Sequence, residues 1–82
     1  MTKNEVTVKK DFETRVAARF VQLAGKFEAN VQIEVDGKKT NCKSLMGVIA
    51  VGVCEGKNVI LSADGADAEA AVSELCAFLG SI

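Results

Sequence analysis

The chain has 82 residues, 49% of them hydrophobic and 26% charged, with a net charge of -1. That is enough apolar content for one small folded domain over 1-82, and too little chain for a second lobe around a deep cleft. There is no histidine at all, so any mechanism that phosphorylates an imidazole is excluded, and histidine cannot complete a zinc site.

Val6 and Val8 alternate with Glu5, Thr7 and Lys9, the two-residue period of a strand, and Lys10-Asp11-Phe12 then reads as a loop. From Thr14 to about Glu28 the period changes to that of a helix. Ala17, Phe20, Val21, Ala24 and Phe27 fall on one face, and Arg15, Arg19, Gln22 and Lys26 on the other. Val31, Ile33 and Val35 make a second strand, and Asp36-Gly37 is a strong two-residue hairpin signal. Lys38 to Cys42 returns as a third strand. Ser44 is placed to cap a short helix running to about Val51. Glu55-Gly56-Lys57-Asn58 is a turn before a fourth strand, Val59 to Ala63. Asp64-Gly65-Ala66-Asp67 leads into a last helix whose core face is Ala71, Val72, Leu75, Phe78 and Leu79, with acidic residues in the first turn where the helix dipole favours them. The order β-α-β-β-α-β-α predicts an α+β fold: an antiparallel sheet with one wet face and the helices on the other.

Charge is unevenly spread. Residues 1–43 hold nine basic and six acidic side chains, whereas residues 44–82 hold one basic and five acidic. No basic run exceeds two residues and aromatics are few, which argues against nucleic acid as a partner. A protein with an acidic patch fits the first half better. Cys42, Cys54 and Cys76 are odd in number and contain no C-x-x-C pair, the usage expected of reduced thiols in a cytoplasmic protein. No signal peptide is expected, and the longest apolar run, Val48 to Cys54, is broken by Gly52 and far too short to span a bilayer. Nothing in the composition calls for a metal or a cofactor.

Two segments carry most of the functional signal. Glu13-Thr14-Arg15-Val16-Ala17-Ala18-Arg19-Phe20-Val21 and Lys43-Ser44-Leu45-Met46-Gly47-Val48 both read as helix starts with a polar group at the tip, where unpaired backbone N–H groups attract anions. These stretches, with Asp64-Gly65-Ala66-Asp67, resemble the HPr family, the small phosphocarriers of the bacterial sugar phosphotransferase system. The resemblance runs from about Glu5 to Leu79. It implies the family's open-faced β-sandwich, four antiparallel strands backed by three helices.

The family motif reads histidine, any residue, arginine, proline. Here those positions hold Glu13, Thr14, Arg15 and Val16. The phosphoryl acceptor is therefore missing, while Arg15 keeps an anion-binding group. A branch of the family, the catabolite-repression HPr homologues, loses the histidine and keeps the regulatory serine. This chain is similar to that branch in logic. The resemblance implies a non-catalytic, cytoplasmic protein that binds other proteins and is switched at Ser44 by an HPr kinase/phosphorylase. Its partner would be a catabolite-control transcription regulator or a metabolic enzyme, contacted through Arg15, Arg19, Leu45, Met46 and Ile49, and the chain itself a monomer or weak dimer. Three readings of Glu13 stay open: a vestigial residue, a permanent charge that partly imitates phosphohistidine, and an acyl-phosphate carrier.

Overall fold

The computed structural model describes residues 2–9 and 11–81, so Lys10 of the first expected loop lies outside the described residues. In chain order the elements are β1 (Thr2–Thr7), α1 (Thr14–Gly25), β2 (Asn30–Val35), β3 (Lys38–Asn41), α2 (Leu45–Ala50), β4 (Asn58–Asp64) and α3 (Ala68–Ser81). The strands form one four-stranded sheet in the order β1-β4-β2-β3, with every neighbouring pair antiparallel. The two outer strands are thus the first and the third in sequence.

Register explains which face is wet. Glu5 pairs with Ile60, Ile60 with Glu34, and Glu34 with Lys39, so these four share one face with Lys3, Ser62, Gln32 and Asn41. Apart from Ile60 that face is polar, and helices leave it open. The opposite face carries Val31, Ile33, Val35, Val59, Leu61 and Ala63, all buried. Against it α1 contributes Ala17, Phe20 and Ala24, α2 contributes Val48, and α3 contributes Ala71, Val72, Leu75 and Leu79. Each helical set follows the 3.6-residue period, so each helix buries one stripe.

Phe20 is the hub of this core. Its ring centroid lies 5.3 Å from that of Phe12 and 5.9 Å from that of Phe78, joining α1 to α3 and to the segment before α1. Truncation of a fully buried phenylalanine costs about 3–5 kcal/mol, so these contacts weigh heavily in a domain of this size.

The β2–β3 connection is as the Asp36-Gly37 pair predicts. Both residues have positive φ, 53° and 82°, the twist that matches a two-residue hairpin. Lys57 reaches across to the Asp36 carboxylate and pins this turn to the start of β4. That hydrogen bond, with the attraction of the carboxylate, pushes the Lys57 ammonium above its ordinary value.

Several boundaries differ from expectation, β4 for instance running one residue further at each end, Asn58–Asp64. β1 ends at Thr7, and Val8 is buried just beyond it because its amide and carbonyl turn to Lys57 and Gly56. β3 ends at Asn41, one residue early. More telling, α1 stops at Gly25 and does not reach Glu28. Phe27 gives its carbonyl to Lys43 Nζ at 2.7 Å. Glu28 and Ala29 give their amides to the Asp67 carboxylate at 2.9 and 2.8 Å. Backbone groups that would continue the helix are taken by side chains from two distant elements. Asp67 therefore acts by gripping the α1–β2 turn, and Glu69 is the acidic residue in the first turn of α3.

Candidate functional site

Glu13 occupies the N-cap position of α1 in extended conformation, but its side chain makes no capping hydrogen bond. The expectation of a polar group closing the helix tip is thus met in position and not in bonding: a glutamate carries its carboxylate one methylene too far to cap as Asp or Ser does. The segment is held instead by its neighbours. Phe12 packs in the aromatic cluster and donates its amide to Val53 O at 3.2 Å, and Asp11 Oδ1 accepts from the Glu55 amide at 2.8 Å. Glu13 is left exposed at the end of a well-braced helix. Arg15 and Arg19 follow on the solvent side, and among the described residues neither guanidinium forms an ion pair.

Ser44 fits its sequence role closely. It is the N-cap of α2, its Oγ accepts from the Gly47 amide at 3.2 Å, and it is exposed. Six residues are too few for a stable isolated helix, so α2 depends on what it rests on. Val48 is fully buried and Leu45 is partly buried against the core. On the outer side Met46 is 78% exposed and Ile49 42%, the large hydrophobic side chains left open to solvent among the described residues. Of the three apolar residues expected at a partner surface, Met46 is largely exposed, Ile49 partly so, and Leu45 is partly buried.

The two candidate segments do not converge. α2 runs back along α1: Lys43, before α2, reaches Phe27 beyond the end of α1, while Val53, after α2, bonds Phe12 before its start. Glu13 and Ser44 therefore sit at opposite ends of the helix pair. The twelve residues of α1 run for about 18 Å at 1.5 Å per residue. No small ligand spans that. A protein surface does, since an ordinary interface covers roughly 800 Å² on each partner. Exposed Met46 and Ile49 lie on α2 between the two ends. Isolated exposed apolar residues need no explanation; Met46 and Ile49 are two large ones one turn apart on a short helix.

Three contributors were not visible in the sequence as site residues. Lys43 holds the α1–β2 turn. Asp67 grips the same turn, and its hydrogen bond from the Glu28 amide holds its carboxyl below the usual carboxylate range, helped by the Ala29 amide and the nearby Lys43 charge. Thr40 on β3 stands directly beside Gly47 of α2. None carries a local signal, because each acts on a residue far away in sequence. Two of the three cysteines are shielded. Cys42 is fully buried and its thiol is pushed up to about 12 by desolvation, and burial also raises Cys76. Cys54 is exposed and unpaired. Among the described residues no group of His, Cys, Asp or Glu is arranged to hold a metal ion, and no helix is long and apolar enough to cross a membrane.

This architecture has close counterparts. The family model described as the PTS HPr component phosphorylation site matches residues 2–81. The chain belongs to the HPr family. It is similar to the HPr-like protein Crh of Bacillus subtilis (strain 168), 43% identical over 77 residues that cover 94% of this chain and 91% of that one. Its fold is similar to the crystal structure of the phosphocarrier protein HPr from Bacillus anthracis, with a TM-score of 0.92, 36% identity and 95% of each chain covered. A crystal structure of Bacillus subtilis Crh, a catabolite-repression protein seen there as a domain-swapped dimer, matches with a TM-score of 0.79 and 42% identity over 96% of this chain and 91% of that one. The chain is thus an HPr-like protein of the phosphotransferase and catabolite-repression system, with glutamate at the position where the family motif has its histidine.

Proposed function

We propose that this HPr-family chain is a regulatory protein that does not carry phosphohistidine and that acts by binding other proteins, switched by phosphorylation of Ser44. The observation that carries the reading is the pairing of an exposed Ser44 hydroxyl with the exposed Met46 and Ile49 on the same short helix, in a chain without histidine. A kinase of the HPr kinase/phosphorylase type would move the terminal phosphoryl group of ATP to Ser44 Oγ, with the hydroxyl proton leaving and ADP released. The product adds about 1.5–2 negative charges beside the apolar pair. A catabolite-control regulator or metabolic enzyme with arginines next to an apolar pocket gains charge-assisted hydrogen bonds and apolar contact together. Arg15 and Arg19 would meet acidic groups of the same partner at the other end of α1, and Leu45 would add its partly exposed edge. In this reading residues 1-82 work as one non-catalytic, cytoplasmic unit, monomeric or weakly dimeric as related structures allow.

The test is direct. The chain is incubated with an HPr kinase and ATP, the modified residue is mapped by mass spectrometry, and affinity for the candidate regulator is measured before and after. Modification at Ser44 with a clear gain in affinity is expected. If Ser44 stays unmodified, or modification leaves affinity unchanged, the chain is an interaction module that needs no switch. A second reading is favoured by one feature: the Glu13 carboxylate is exposed, uncapped and close to Arg15 in sequence. It would act as an acyl-phosphate carrier. Enzyme I and labelled phosphoenolpyruvate decide this, since only label mapped to Glu13 supports it.

A further inference from the structure

We propose that Thr40 is the residue that orients a phosphoryl group on Ser44, by donating its hydroxyl proton to a phosphate oxygen. This deepens the regulatory reading and rests on Ser44 carrying phosphate.

Thr40 pairs with Ile33 in the sheet, so its side chain belongs to the helix-covered face, where its neighbours Ile33 and Leu61 are aliphatic. A hydroxyl in that row is out of pattern. It is half-buried, and among the described residues no hydrogen bond engages it. Its location follows from Gly47. A Cβ built on Gly47 would lie 2.1 Å from Thr40 Oγ1 and 3.2 Å from Ser44 Oγ. The two oxygens therefore flank one point from which a side chain is missing, and their separation cannot exceed the sum of those two distances. A phosphate oxygen extends roughly 2.5 Å beyond the ester oxygen, and a charge-assisted O–H···O bond adds about 2.5–2.7 Å. That reach is comparable with the largest separation allowed. A glycine at this position keeps the path between them open.

The nearest lysine is occupied. Lys43 Nζ is held by Phe27 O at 2.7 Å, and its charge acts on Asp67. Thr40 thus gives the phosphate a local donor without neutralising it. The group is aimed while its charge remains available to the arginines of a partner. This makes Thr40 a positioning residue.

A hydrogen bond to the dianion favours the ionised form, so it lowers the second pKa of the phosphoserine, ordinarily near ~6. Full-length chain carrying phosphoserine at position 44, installed during translation, is titrated by phosphorus NMR. Thr40→Val should raise that pKa by a few tenths of a unit, and Thr40→Ser should restore it. In the wild-type chain the Thr40 methyl resonance should follow the phosphate titration. A Thr40→Val protein that titrates like wild type, with a Thr40 methyl that ignores the phosphate, overturns the proposal. If Thr40→Val does not fold, the wild-type methyl decides alone. Because no kinase is used, a kinase that ignores Ser44 refutes the functional reading and leaves this titration unaffected.

Discussion

Gly47→Ala tests how α2 is seated. Position 47 lies in the first turn of α2 without a positive φ, so on helix propensity alone alanine would stabilise by about 0.8–1 kcal/mol. The tertiary structure opposes this. The new Cβ would meet Thr40 Oγ1 at 2.1 Å, Ser44 Oγ at 3.2 Å and Thr40 Cβ at 3.3 Å. Thr40 is β-branched and sits in a strand, so it yields only by leaving its rotamer or moving β3 away from α2. Overpacking of this kind costs about 1–3 kcal/mol, and weakening the Ser44 cap adds to it. The net effect should be a loss of about 1–2 kcal/mol once the propensity gain is subtracted. For a domain of this size that lowers Tm by roughly 4–16 °C, using about 4–8 °C per kcal/mol. A double-mutant cycle with Thr40→Ala isolates the cause. With the threonine hydroxyl removed the 2.1 Å clash disappears, only the tight contacts at 3.2 and 3.3 Å remain, and Gly47→Ala should then cost much less. Thermal and urea unfolding of the four proteins read the cycle. A Gly47→Ala protein as stable as wild type, or one equally damaged in both backgrounds, refutes the account of the α2–β3 contact.

Gly65→Ala should be more damaging, because its φ of 147° is closed to side chains and the Cβ would lie 2.7 Å from the Ala29 backbone, which cannot swing aside; a loss of about 2–4 kcal/mol is expected by urea unfolding. Met46→Ser combined with Ile49→Ser should cost only modest stability, Met46 being largely open to solvent and Ile49 partly so, while weakening binding to a Ser44-phosphorylation-dependent partner at least tenfold by calorimetry. Asp67→Ala should reduce stability at neutral pH by freeing the amides of Glu28 and Ala29. The folded-state pKa of Asp67 is depressed, so its contribution is complete above the ordinary 3.8 and fades as pH falls through the lowered value; the gap between mutant and wild type should therefore close in acid urea titrations below pH 3.8 and stay constant above it.

The order of elements, the buried stripe of each helix and the Asp36-Gly37 hairpin were all determined by the sequence itself, because each depends on residues within a turn or two of one another. So was the loss of phosphohistidine chemistry, which requires only the absence of one residue type. Ser44 was legible as a cap for the same local reason. What tertiary structure alone decided was where α1 ends, since Lys43 and Asp67 come from 16 and 38 or more residues away to take its backbone groups. It also decided that Glu13 and Ser44 lie at two ends of one surface, because the antiparallel course of α2 along α1 is a packing outcome that no local pattern encodes. The same holds for Thr40. In sequence it is an ordinary residue of a short edge strand, and its nearness to Ser44 arises only when a glycine lets helix and strand close on each other.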